Sequence, residues 1–92
     1  MPLVFEWDGR KARSNLEKHG VSFEEAASVF GDPLSLTIED SSHSETERRC
    51  VVIGLSLRGQ TLVVVHSERG ERIRMISARL ATSAERRQYE ET

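Results

Sequence analysis

The chain has 92 residues, 37% hydrophobic and 30% charged, with a formal net charge of −2. That is one domain, residues 1–92, with a core near the lower limit for unaided stability. The slightly acidic balance excludes non-specific nucleic-acid binding by the whole surface. No apolar run reaches membrane-spanning length, so no membrane partner is expected. The opening residues, MPLVFEWD, lack the basic start and apolar stretch of a secretory signal. The single cysteine, Cys50, excludes an internal disulfide and points to a reducing cytoplasm. Lying in CVVIGL, it reads as a small buried hydrophobe.

Charge is unevenly distributed. Residues 1–45 carry four bases and nine acids, for −5, whereas residues 66–87 carry six arginines and three glutamates, for +3. Arginine suits phosphate, because its planar fork donates two parallel hydrogen bonds.

Leu3 to Trp7 reads as a short strand with Glu6 among apolar residues. Asp8 is placed to cap a helix over Gly9 to His19, whose apolar stripe is Ala12 and Leu16, with Asn15 and His19 beside it. Lys11 and Lys18 lie one face away. Gly20 is a left-handed terminator, and Lys18 and His19 suit the negative end of the helix dipole. Ser22 opens a second helix, with Glu25 completing a capping box and Phe23, Ala26, Ala27 and Phe30 facing the core. Gly31, Asp32 and Pro33 end it.

Leu34 to Glu39 alternates apolar and polar residues, as a strand with one wet face does. The polar loop DSSHSET follows. Its His43, with Asp40 and Glu45 nearby, has no second His or Cys at ligand spacing, so no metal is expected. Arg48 to Leu57 is a long strand, Arg58 and Gly59 form a hairpin turn, and Gln60 to Ser67 returns. Gly70 and Glu71 turn the chain into a last strand from Arg72 to Ala78. Strict alternation puts Arg72, Arg74, Ile76 and Ala78 on one face, and Ile73, Met75, Ser77 and Arg79 on the other. Thr82 and Glu85 then form a capping box for a final helix over Ser83 to Glu91. It is poor in apolar residues and expected to pack loosely or to be held by a partner chain. Helices followed by a run of strands define an α+β class: a small antiparallel sheet, an N-terminal strand plus a four-stranded meander, with two N-terminal helices and one C-terminal helix.

The segments FEWD at 5–8, NLEKHGVSFEEA at 15–26, VFGDP at 29–33, VVHSERG at 64–70, RMISAR at 74–79 and ERRQYE at 85–90 resemble the BrnT family, nearly end to end and in order. Its members are the toxins of bacterial type II toxin–antitoxin pairs. The resemblance implies a fold similar to that of RelE toxins and RNA cleavage that stops translation. It also implies a BrnA antitoxin with a ribbon-helix-helix part, binding of operator DNA through that antitoxin with repression of the operon, and a two-to-two assembly.

Metal-independent RNA cleavage, with no cofactor, needs a base for the 2′-OH, cations for the phosphorane and an acid for the leaving oxygen. The residues that fit are His66 and Glu68 as base and acid, and Arg69 and Arg79 for the developing charge. Lys18, Arg74 and Tyr89 fit as contacts to RNA. The expectation is one phosphate-sized hollow lined by all of them. The alternative is a non-catalytic module that binds an antitoxin and acts as a co-repressor.

Overall fold

The computed structural model describes residues 3–40 and 48–91. His43 and Glu45 lie outside them. Runs of valine and isoleucine at 51–53 and 63–65 favour extended chain and supply the central strands. The strands are β1 (Val4–Glu6), β2 (Leu36–Asp40), β3 (Arg48–Leu55), β4 (Thr61–Arg69) and β5 (Arg72–Leu80). The helices are α1 (Gly9–His19), α2 (Phe23–Ser28), extended by a 3₁₀ turn over Val29–Gly31, and α3 (Ser83–Glu90). The α+β class is as expected.

One sheet contains all five strands, in the order β1-β5-β4-β3-β2. Strands β2 to β5 are an antiparallel meander. The sheet is mixed rather than wholly antiparallel, because β1 lies parallel to β5, with Val4 opposite Arg72 and Glu6 opposite Arg74. A hairpin dictates antiparallel pairing, but a strand that pairs with one far along the chain can run either way.

A second correction concerns β5. Val65 pairs with Ser77 and His66 with Met75, so Ile76 is an extra residue, a β-bulge. The bulge resets the alternation. Ile73, Met75 and Ala78 therefore share the face covered by α1 and α2, where they join Val52, Leu62 and Val64 against Val21, Phe23, Ala26 and Val29. Arg72, Arg74, Ser77 and Arg79 share the opposite face. Ile53 and Val63, also on that face, are buried, so the central strands are covered on both sides.

Helix ends follow local chemistry. The Asp8 carboxylate accepts from Arg10 N, Gly20 closes α1 at φ 72°, and Thr82 with Glu85 forms the expected box on α3. Ser22 caps α2 through Glu25 N, while the Glu25 carboxylate accepts from Ser56 Oγ at 2.7 Å. Gly54 permits close approach of the helical layer, since a Cβ there would sit 2.7 Å from Val29 Cγ1. No helix is long and apolar enough to cross a membrane.

Candidate nucleic-acid interface

Strand β1 covers only Arg72 to Arg74 of β5. Beyond that point α1 packs against β5. Asn15 is buried there. Its Nδ2 donates to the carbonyls of Ala78 (2.8 Å) and Val21 (2.9 Å), and its Oδ1 accepts from Ala78 N (3.0 Å). The side chain thus meets the backbone groups that a further strand would have taken.

Three hollows adjoin along this border. One of about 790 Å³ lies among Arg69, Arg72, Arg74, Glu6 and Glu71. A second, of about 340 Å³, is lined by Glu6, Trp7, Asp8, Lys11 and Arg74. A third, of about 290 Å³, is lined by Lys11, Lys18, His19, Ile76 and Ser77. The first two share Glu6 and Arg74, and the last two share Lys11. The result is a track with five cationic side chains against three carboxylates. Glu6 holds Arg72 at 3.2 Å and Arg74 at 3.7 Å. Such solvent-exposed pairs are worth about 0–1 kcal/mol, so a phosphate can displace them at small cost.

Arg69, Arg74 and Lys18, named from the sequence, all lie on the track. The other named residues do not. His66 is fully buried on the helix-covered face, its ring packed edge-on against Phe30 at a centroid distance of 4.8 Å. Its Nε2 lies 3.1 Å from Glu68 Oε2, and Arg48 stands 3.7 Å from the same carboxylate. His66 and Glu68 are therefore brought together, on the face opposite Arg74 and Arg79. Arg79 lies on the opposite face, and its guanidinium makes two 2.8 Å bonds to Glu85. That pairing pulls the Glu85 carboxyl down to about 2. The Tyr89 hydroxyl donates to Asp32 Oδ2 at 2.6 Å, which holds the Asp32 carboxyl below its usual range. Arg79 and Tyr89 thus fasten α3. The expected single hollow is not formed, because alternation on β4 turns His66 away from the face that carries Arg79.

The sequence reading gave Lys11, Trp7 and His19 no place in the site. A signal for the first existed: Lys11 and Lys18 are seven apart, two helical turns, and so share a face. His19 is half-buried at the end of α1 and presents its imidazole to the third hollow.

Among the described residues, one group has the donors for a metal. Sγ of Cys50, a ring nitrogen of His66 and a carboxylate oxygen of Glu68 lie within 4.8 Å of one another. Sheet pairing sets Cys50 directly opposite His66, a relation that local ligand spacing does not reveal.

A small mixed sheet flanked by short helices is also the fold of a crystallised ribonuclease toxin, BrnT of Brucella abortus. The two chains superpose with a TM-score of 0.64 at 20% identity, over 90% of this chain and 99% of that one. The family model described as the ribonuclease toxin BrnT of type II toxin–antitoxin systems matches residues 7–85. The chain belongs to this BrnT family. No curated protein matches it.

Proposed function

We propose that the chain is a metal-independent endoribonuclease that draws a single RNA strand along the track bordering β5. The observation that carries this reading is the succession of three hollows joined through Arg74 and Lys11. Arg69, Arg72, Arg74, Lys11 and Lys18 neutralise successive phosphates, and Trp7 offers a ring for a base. The 2′-OH attacks its own phosphate, which restricts the reaction to RNA. His19 moves the proton, and Lys11 and Lys18, which line the same hollow, stabilise the phosphorane. Glu68 and buried His66 stand outside this path, and Arg79 and Tyr89 act by seating α3.

The same reading supplies the biology: arrest of translation in the cytoplasm, neutralisation by a BrnA-type antitoxin in a two-to-two complex, and repression of the operon through the antitoxin's hold on operator DNA. Helix α3 has no buried residue, which suits a helix that a partner covers. That observation also favours the second reading, an antitoxin-binding co-repressor without catalysis. Two assays separate them. The purified chain in EDTA should cut RNA to leave 2′,3′-cyclic ends, and the His19→Ala and Lys11→Ala/Arg74→Ala variants should lose most of that activity. Undiminished cleavage by both variants overturns the track. Normal growth on expression without antitoxin overturns the enzyme in favour of the module.

A further inference from the structure

We propose that Cys50, His66 and Glu68 form a site for a soft divalent cation of the zinc type, separate from the RNA track. The three side chains project from one face of the β3–β4 hairpin. Cys50 and His66 are cross-strand partners, and Glu68 follows His66 by two residues. Their donor atoms fall within 4.8 Å of one another, close enough to converge on one ion after small rotations. Thiolate, imidazole and carboxylate together are a donor set that selects zinc over magnesium or calcium, which prefer oxygen alone.

The second observation concerns the imidazole. His66 is fully buried, and its Nδ1 has no hydrogen-bond partner among the described residues. In the neutral tautomer that donates from Nε2 to the Glu68 carboxylate, Nδ1 is a bare acceptor. Buried polar atoms are nearly always paired, and each exception calls for an explanation. A cation ligated by Nδ1 would supply one. Glu68 is partly exposed and gives the ion a way in. Glu39, the partner of Cys50 on β2, lies on the same face. Arg48 now bridges Glu39 and Glu68, at 3.1 Å and 3.7 Å. The ion would take over its neutralising role and clamp β3 to β4.

The test uses the full chain with zinc and cobalt(II). One equivalent of cobalt should give a thiolate-to-metal charge-transfer band. Because Cys50 is the only cysteine, Cys50→Ser should abolish the band. Zinc should raise the melting temperature of the wild-type chain, and magnesium should not. Cys50→Ser and Glu68→Gln should weaken zinc binding by at least about tenfold, since even groups behind the ligands change affinity by ~10–100-fold. His43→Ala should bind as the wild type does. His66→Gln is the obvious further variant, but the loss of a buried ring can unfold the chain; the Cys50 and Glu68 variants decide without it. Absence of the band in wild type, or zinc binding lost with His43 and kept in Cys50→Ser, overturns the site.

Discussion

Asn15 and Ala78 are joined by a reciprocal pair of hydrogen bonds, 2.8 Å and 3.0 Å long, across 63 positions of sequence. One buried amide thereby fixes α1, with Lys11 and Lys18, beside the border of β5. Replacing it with leucine strands the amide and carbonyl of Ala78 and the carbonyl of Val21. At ~1–3 kcal/mol for an unsatisfied buried group, with some relaxation, Asn15→Leu should lower stability by about 3 kcal/mol. Urea unfolding measures this, and a loss below about 1 kcal/mol contradicts the role given to Asn15.

The Arg79–Glu85 pair makes stability depend on acid. The Glu85 carboxyl falls from 4.5 to about 2 on folding. A depressed carboxyl stabilises the fold above its unfolded value and loses that contribution as pH falls towards its folded value. Arg79 is 40% exposed, so solvent screens the pair, and its worth is on the order of 1 kcal/mol. Glu85→Gln should be less stable than wild type by about that amount at pH ~7, and the two should converge at pH ~2. A gap that stays constant on acidification points to capping alone.

Gly54 is an independent check on the packing of the helical layer. Its added Cβ would lie 2.7 Å from Val29 Cγ1 and 3.0 Å from Ser35 Cβ. Overpacking of this kind costs about 1–3 kcal/mol, so Gly54→Ala should destabilise although alanine suits a strand no worse than glycine. A neutral result by thermal melting means that Val29 and Ser35 can move aside.

For RNA, the track predicts a salt signature. Each phosphate contact to a single strand contributes ~0.7 to the slope of log affinity against log salt. Lys11→Ala and Arg74→Ala should each reduce the slope by about that amount, uniformly across sequences. Arg79→Ala should leave the slope unchanged in any variant that stays folded. Filter binding of a catalytically silent chain to a short oligonucleotide reads this directly.

The sequence was legible wherever a rule is local. Asp8, Gly20 and Thr82 act within one helical turn, and Gly59 and Gly70, at φ 79° and 63°, close hairpins where expected. What failed was non-local. No local pattern tells whether β1 runs with or against β5. The bulge at Ile76 is an apolar residue in an apolar strand, and nothing in its identity shows that it is unpaired. The site expectation inherits the second of these. It counted His66 and Arg79 as neighbours along two strands, whereas the sheet turns one inward and the other outward. The positive charge between residues 66 and 87 was readable, and Arg69 and Arg74 from it do lie on the track. Lys11 was overlooked because a lone lysine on a short helix reads as solvated until a strand edge is set beside it.

The unpaired Ile76 sets the phase of everything on either side of it. Ahead of it the basic side chains stand at even numbers, 72 and 74; after it the outward positions are odd, 77 and 79. Deleting that one residue would leave the charge count untouched and a strand of strict alternation, with Arg72, Arg74, Ser77 and Arg79 still outward; keeping it and pairing it in regular register would instead roll half the strand over, driving guanidinium groups into the hydrocarbon interior or Ile73 and Met75 out into water. The polarity of this surface therefore hangs on the ladder leaving out a residue that carries no charge itself.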